Sequence, residues 1–323
     1  MFFKKKSILL ISSFFIFSIS LIYGYLIGEG LYGFSNDYYE EYFKSNLIYP
    51  SIREKLGSLL STLTINNFHI GVHLTSFFLA VSSGVILQAF LFVKNIRSIL
   101  FFIFIFFITL HIHPIIMSTS GAMRQGWTMC FIFLSLAMIL YNKKSISFLF
   151  IIIAIFLHKS GLFYFMIYFY TIINFFLLRF LKNKKIIIFI SGFFLFISSS
   201  YGLYVTGWSL TEHRVVAGDF RLIWLIANIT FIFFYLFLFD INLSDELKFL
   251  RLYIFFHCCA APSFYLMGLN WQYERINMVI ALPLILVVGS HFDKKSSYLY
   301  LTVVLCMYLF LTIYQGMYTV GLT

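Results

Sequence analysis

Long apolar segments follow one another along almost the whole chain, and their length restricts the fold more than any other feature. Each approaches the about 20 residues that an α-helix needs to cross the hydrocarbon core of a bilayer. The chain of 323 residues is 61% hydrophobic and only 11% charged, whereas soluble domains are about 45–50% apolar. A transmembrane β-barrel would show alternating strands of about ten residues, and the sequence lacks that alternation. It therefore predicts an all-α, polytopic integral membrane protein.

The hydropathy pattern predicts about eleven transmembrane helices. Their approximate bounds are 7–27, 71–93, 98–117, 122–141, 146–157, 161–180, 186–206, 222–240, 249–268, 276–290 and 298–318. The first segment is longer than the apolar region of a signal peptide, and no small-residue cleavage site follows it, so we expect a retained span. Only two loops are long, 28–70 and 207–221. The sequence predicts a single transmembrane domain over 1–323, without room for a soluble domain.

The positions of the basic residues predict the orientation. With the N-terminus inside, cytoplasmic loops hold 15 of the 23 Lys and Arg, beginning with Lys4-Lys5-Lys6. This asymmetry is the one that the positive-inside rule requires of an eleven-span protein whose C-terminus is outside. Topology therefore explains most of the net charge of +11, and the charge does not indicate a nucleic-acid partner.

Four outer-side arginines lie at or near the ends of predicted spans: Arg124, Arg214, Arg221 and Arg275. A charge near hydrocarbon is costly, about 2.5–3.5 kcal/mol on insertion scales, so it marks a functional site by default. Guanidinium groups are permanently charged and match phosphate bidentately, so several in one cavity would suit a lipid-linked diphosphate. In the alternative interpretation each arginine snorkels to the interface or pairs with a neighbouring acid, as Arg275 could with Glu274.

A polar interruption, His158-Lys159-Ser160-Gly161, divides the apolar run 146–178, which is too long for one untilted span. Broken helices are tolerated at membrane depth where they line a protein-enclosed or watery cavity. We therefore expect a break at His158, at the bottom of an outward-facing cavity. A histidine can act there as a general base, or it can be a hydrogen-bonded structural residue. His111 and His113 do not share a helical face, so they do not predict a metal site.

The loop 28–70 carries an acidic and aromatic segment, Asn36–Tyr42, which includes Asp37 and three tyrosines. Carboxylates for sugar hydroxyls and aromatic faces for pyranose rings favour a sugar-binding surface. A membrane-interface aromatic belt is the alternative. Phosphate-binding glycine loops, zinc spacings and nucleophile elbows are absent from the sequence, so an activated donor would have to come from within the membrane.

Four stretches of the chain resemble the EpsG-like family of Wzy-type polysaccharide polymerases. They are Ser120–Gly126 (SGAMRQG), Phe156–Gly161 (FLHKSG), Asn36–Tyr39 (NDYY) and Tyr273–Ile276 (YERI), with a Lys143-Lys144 turn between the first two. The resemblance implies a GT-C-like membrane glycosyltransferase of the bacterial inner membrane, with its active site facing outward. It would transfer a glycan from undecaprenyl diphosphate to a hydroxyl of a second lipid-linked repeat unit.

The resemblance also implies roles for the residues. Arg124, with Lys159, Arg214, Arg221 and Arg275, would hold and neutralise the leaving diphosphate, and electrostatic stabilisation of that kind is often the largest catalytic term. The implied partners are an undecaprenyl-diphosphate-linked oligosaccharide and membrane lipid, and a separate chain-length regulator stays an open question. No cofactor and no metal are implied.

The same family pattern implies that His158 orients or deprotonates the acceptor hydroxyl, with Asp37 or Glu274 as the reserve base. The chain departs from the pattern in its second long loop of about 15 residues, which is shorter than in many O-antigen polymerases. Two other functions stay open. A flippase for lipid-linked sugars would bind the same diphosphate but usually shows twelve or more spans and repeated halves. An acyltransferase would also use an intramembrane histidine, but arginines suit a diphosphate better than a thioester.

Overall fold

The protein is built from helices joined by short turns wherever its structure is described. The computed structural model describes residues 5–31, 68–121, 123–180, 184–205, 221–237 and 243–314, and these contain no β-strand. The helices are α1 Lys5–Gly28, α2 Phe68–Val93, α3 Ile99–Leu110, α4 His113–Ile116, α5 Met123–Leu140, α6 Lys144–Leu157, α7 Lys159–Leu177, α8 Lys184–Val205, α9 Arg221–Phe237, α10 Asp245–Ala260, α11 Pro262–Leu266, α12 Asn270–Gly289 and α13 Lys294–Tyr314. A π-helical turn, Met117–Gly121, leads from α4 towards α5.

Every predicted span coincides with one of these helices or with a bent pair of them. Among the described residues, six helices are long and apolar enough to cross a membrane. The number becomes seven if α3 and the segment after it, bent by 60°, form one span. Helices α5, α6 and α9 are apolar but shorter. The helical, multi-pass membrane class is therefore confirmed, and the count of eleven stays a prediction.

The helices pack as two compact units. Unit 1 comprises Met1–Phe165 and Val288–Thr323, and unit 2 comprises Met166–Val287. Unit 1 thus contains α1 to α6 and α13, unit 2 contains α8 to α11, and α7 and α12 each cross a boundary. Neither boundary coincides with a linker, because both fall inside apolar helices.

Helix α2 is the centre of unit 1 and packs against α1, α3 and α5. Small polar residues along it are fully buried: Thr75, Ser76, Ser82 and Ser83. Small side chains let helix backbones approach closely, which is the main source of packing energy inside a bilayer. The Gln88 amide of α2 donates to the Leu9 carbonyl of α1 (3.1 Å) and accepts from the Tyr141 hydroxyl (2.8 Å). These bonds tie the beginning of α1 to the ends of α2 and α5.

Lys94 joins two loops at that same end of unit 1. Its Nζ donates to the carbonyl oxygens of Ser290 (2.9 Å) and Phe292 (2.8 Å), in the turn between α12 and α13. Burial lowers the pKa of Lys94, and Asp293 nearby opposes that shift. The loops that the sequence assigns to the cytoplasm thus meet at one end of the unit. We call this the inner end and the opposite one the outer end, following the prediction from loop charge.

Helix α10 is the centre of unit 2, and 78% of its apolar window is buried inside the protein. It packs against α8, α9 and α11. The α8 contact is close because position 192 is glycine: a Cβ there would lie 2.8 Å from the Cys259 sulfur and 3.0 Å from the Phe255 ring. At the first turn of α10, Asp245 lies 3.7 Å from Arg179. The two side chains form an exposed ion pair, which is a kind that adds little stability.

Helices α1, α7 and α8 present apolar faces that no described part of the protein covers. Only 28%, 33% and 22% of their apolar windows are buried. Phe14 of α1, Phe169 of α7 and Phe193 of α8 are all at least half exposed. Soluble proteins rarely leave such continuous apolar surface in water, so these faces are suited to lipid.

Candidate functional site: two polar clusters within apolar helices

The block between Arg124 and His158 folds as an antiparallel helical hairpin within unit 1. Helices α5 and α6 pack against each other, and the Ser135 hydroxyl bonds both to the Ser147 carbonyl and to the Ser147 hydroxyl, each at 2.9 Å. Arg124 precedes Ser135 by 11 residues, and His158 follows Ser147 by 11 residues. At a rise of 1.5 Å per residue, both backbones therefore lie about 16 Å from this bond, at the same outer end.

A glycine sets the position of the helix start that carries Arg124. A Cβ at Gly126 would fall inside van der Waals contact with the Ser118 carbonyl oxygen and would lie 3.1 Å from Thr75 Cγ2. Ser118 belongs to the π-helical turn and is fully buried. Single π turns of this kind are frequent at functional sites. The Arg-Gln-Gly sequence therefore has a steric reason for its glycine, because the first turn of α5 rests directly on the turn before it.

The predicted break at His158 is confirmed. Helix α6 ends at Leu157, α7 begins at Lys159, and His158 between them is extended with φ −158° and ψ 154°. Its Nδ1 lies 3.2 Å from the Ser160 backbone nitrogen and 2.8 Å from the Ser160 hydroxyl. His158 thus acts as the N-cap of α7, satisfying an amide that the helix itself leaves open.

This cap assigns the ring tautomer. A backbone N–H can only donate, so Nδ1 of His158 accepts, and the proton of the neutral imidazole is on Nε2. The neutral ring therefore offers an N–H at its far nitrogen rather than a lone pair. This geometry favours a hydrogen-bond donor that orients a ligand over a general base.

Gly161 allows α7 to start directly against α6. A Cβ on this residue would lie inside van der Waals contact with the Ala154 carbonyl oxygen and 2.9 Å from Ile155 Cα. Its own amide donates to the His158 carbonyl at 2.8 Å. The His-Lys-Ser-Gly sequence therefore encodes a tight backbone turn as well as polar side chains.

Unit 2 contains a separate polar cluster between α9 and α12. The Asn228 amide donates to the Tyr273 hydroxyl and to Asn277 Oδ1, both at 3.0 Å. Asn277 in turn donates to the Tyr273 carbonyl at 2.8 Å. All three residues are fully buried, and Asn228 Oδ1 has no hydrogen-bond partner in the described structure. A buried polar network within apolar helices is expensive unless it is satisfied, so this cluster is a candidate functional element.

Glu274 and Arg275 lie on the same turn of α12 as this cluster. Glu274 is only 2% exposed and Arg275 is half-buried, and neither lacks an interaction partner. Asn277, whose side chain bonds back to the carbonyl of Tyr273, holds the turn that contains them. An almost fully buried carboxylate requires charge or hydrogen-bond compensation. The structure thus places the predicted site residues Glu274 and Arg275 in unit 2, between Tyr273 and Asn277 on α12.

The other predicted site residues are described in part or not at all. Asp37 and Arg214 lie outside the described residues. The backbones of Arg124, Lys159 and Arg221 are at the first or second residue of α5, α7 and α9, and their side chains are not described. Each of these three residues thus lies at the start of a helix.

Sequence reasoning missed three polar side chains in the spans of unit 2. Asn228, Asn277 and His257 are fully buried, and His257 lies beside Asn277. The prediction considered only charged residues and breaks in the apolar runs. The two asparagines within apolar helices were a further signal of a buried polar cluster. Arg251 lies within the candidate span Asp245–Leu266, with its guanidinium 5.1 Å from the Tyr235 ring centre.

The two outer histidines have separate local contacts. His111 Nδ1 lies 2.7 Å from the Phe107 carbonyl. The His113 amide donates to the Thr312 hydroxyl at 2.9 Å, which joins α4 to α13. Within the described ranges, no three His, Cys, Asp or Glu side chains gather as metal ligands would. Both histidines thus take part in packing at the outer end of unit 1.

No protein-family model, no curated protein and no solved structure matches this chain. The features of the chain that bear on its function are therefore the helical hairpin of unit 1 and the polar cluster of unit 2.

Proposed function

We propose that the chain is a repeat-unit polymerase for a bacterial surface polysaccharide, of the EpsG-like, Wzy type. It would be a GT-C-like protein of eleven spans in the inner membrane, with its N-terminus in the cytoplasm. The observation that carries the proposal is the α5–α6 hairpin, whose register brings the backbones of Arg124 and His158 to one level at the outer end of unit 1. A cation and a hydrogen-bond donor carried at one level suit a substrate that has both a diphosphate and a sugar hydroxyl.

The proposed reaction is a transfer between two lipid-linked glycans. The acceptor hydroxyl oxygen attacks the anomeric carbon of the donor, and a new glycosidic bond forms. The bond from that carbon to the diphosphate oxygen breaks, so the diphosphate leaves with the bonding electrons. The hydroxyl proton passes to a protein base or to the released diphosphate. Arg124 would stabilise the charge that develops on the leaving group.

His158 would orient the acceptor. Because its Nδ1 accepts the Ser160 amide, the neutral ring has its proton on Nε2 and can donate to a substrate oxygen. Holding a reactant in line with its partner is itself a large catalytic effect. Of the two candidate bases, Glu274 is the one that the structure describes, and it is almost fully buried. Arg275 and Arg221 would be further phosphate ligands.

The first experiment separates the polymerase from a flippase. Deletion of the gene should reduce a polysaccharide ladder to single repeat units on the acceptor. Loss of a flippase would leave the outer acceptor without any repeat unit. The second outcome would favour the flippase, since a transport defect removes the substrate before any polymer can form.

The second experiment uses purified protein and one lipid-linked repeat unit, without nucleotide sugar, with and without divalent metal. Arg124→Ala should abolish polymer, whereas Arg179→Ala, which changes an exposed arginine in the turn after α7, should not. His158→Asn is the informative variant because asparagine caps a helix as well as histidine does but has no imidazole. Full activity of His158→Asn with lost activity of His158→Ala would assign a capping role only and refute the orienting role.

A further inference from the structure

A crevice opens at the inner end of unit 1, at the opposite end of the α5–α6 hairpin from His158. It is a shallow crevice of about 40 Å³ that is open to the surface. Its walls come from three helices and are mainly apolar: Ile8 and Leu9 of α1, Leu91 and Phe92 of α2, and Ile99 and Phe102 of α3. Ser12 and Gln88 also line it, and they are hydrogen-bonded to each other. Its rim is polar and consists of Asn95, Arg97 and Ser98. The crevice therefore has a mainly apolar interior and a charged mouth.

The charged mouth is preorganised for an anion. Arg97 is exposed and donates from Nε to Asn95 Oδ1 at 3.0 Å, which leaves both terminal amino groups of the guanidinium available. In the described structure it has no carboxylate partner. Asn95, in the left-handed conformation with φ 57°, holds the turn after α2. The guanidinium is therefore held by a neutral amide, and its charge is not neutralised by the protein.

The first turn of α3 adds to the positive electrostatic potential at the mouth of the crevice. The Ser98 hydroxyl accepts from the Phe101 amide at 3.3 Å, and the amides of Ile99 and Leu100 have no intrahelical partner because they begin the helix. Helix N-termini attract anions for this reason. They support the site here, but the crevice and Arg97 define it.

The surrounding charge selects among phospholipids. The inner end of unit 1 also carries Lys94, Lys143, Lys144, Lys294 and Lys295, and Asp293 is its one acid among the described residues. Asp293 is already engaged, accepting from the Ser296 amide at 2.7 Å. A zwitterionic headgroup has a positive charge beside its phosphate, and the lysines at this end would repel that positive charge. A headgroup whose net charge is negative fits this end.

We infer that the crevice binds one anionic diacyl phospholipid of the inner leaflet, with its phosphate on Arg97 and an acyl chain against the apolar walls. Basic pockets between helices at this membrane face bind anionic headgroups in other membrane proteins. The site is independent of the proposed polymerase activity.

The test is native mass spectrometry of the purified protein in detergent, titrated with phosphatidylglycerol or phosphatidylcholine that have the same acyl chains. We expect one phosphatidylglycerol to bind at least about fivefold more tightly than phosphatidylcholine, the difference that one interfacial cation supplies. Arg97→Gln should remove this preference. Arg179→Gln changes an exposed arginine of unit 2 that does not line the crevice. It is the matched control and should keep the preference.

Two further arms make the result decisive. Ile99→Trp, which fills the crevice, should weaken both lipids, whereas free sn-glycerol 1-phosphate should not compete with phosphatidylglycerol. Equal binding of both lipids, or equal behaviour of the Arg97 and Arg179 variants, would overturn the proposal. Competition by glycerol phosphate at equal concentration would also overturn it, because the site would then recognise a free phosphate.

Discussion

Gly161→Ala tests whether the tight turn at the break between α6 and α7 is sterically enforced. The added Cβ would lie 2.5 Å from the Ala154 carbonyl carbon and 2.9 Å from Ile155 Cα, whereas ordinary contact begins at 3.4 Å. The neighbouring atoms are backbone and cannot rotate away, so the start of α7 must shift on the order of 1 Å, and displacements of that size near a site cost up to about 100-fold in rate. We expect overpacking to cost about 1–3 kcal/mol in stability, and the helix propensity gained by removing glycine returns about 1 kcal/mol.

Gly202→Ala is the matched control for this substitution. Gly202 also lies in an apolar helix, but a Cβ there would meet nothing within 4 Å, so alanine should stabilise the protein by about 0.4–1 kcal/mol. The stability of each purified variant is measured by SDS titration, and separate folded samples are assayed for polymer. Opposite signs of the two stability changes are expected, with activity lost only in Gly161→Ala. If both variants are stabilised alike and both form polymer, the close-approach argument is refuted.

Further predictions concern the polar cluster of unit 2 and the inner loop of unit 1. Asn228→Ala removes two hydrogen bonds, to Tyr273 and Asn277. Intramembrane hydrogen bonds contribute roughly 0.6 kcal/mol each on average and more at the upper end of their range, so the substitution should lower stability by about 1–2 kcal/mol. Exposed Ile229→Ala on the same helix should cost less, and equal losses in SDS unfolding would contradict a structural role for the amide. Hydrogen bonds from Ser296 hold the pKa of Asp293 below its ordinary value. Its stabilisation is therefore present above the unfolded pKa and lost as pH falls through the folded pKa. Asp293→Asn keeps the cap of α13 but should flatten the decline of stability between about pH 5 and pH 3. An unchanged acid slope would show that Asp293 does not contribute.

The elements that the sequence predicted well are those in which the signal is local. Apolar length predicts a helix in a bilayer because every backbone amide must be satisfied within the segment, and each predicted span contains a helix. The break at His158 was predictable for the same reason, since a polar tetrapeptide interrupts an apolar run that is too long for one span. Helix starts at Arg124 and Arg221 followed from the same pattern.

The features that the sequence did not predict depend on contacts between distant segments. The function of His158 as a helix cap is visible only in its bond to the Ser160 amide. The polar cluster joins α9 to α12 across 45 and 49 residues of sequence, and a single asparagine in an apolar helix does not indicate its partner. The division into two units was also unpredictable, because both boundaries fall within helices of uniform hydropathy.

The sequence alone determined that this is a multi-pass helical membrane protein and roughly where its apolar helices lie along the chain, because burial in lipid requires apolar length. Only the tertiary structure decided which polar residues meet, because helix–helix register depends on where two backbones can approach. Gly126 and Gly161 show the difference. In the sequence they are two glycines of a motif, whereas in the structure each marks a contact of one backbone with another, and those contacts position Arg124 and His158.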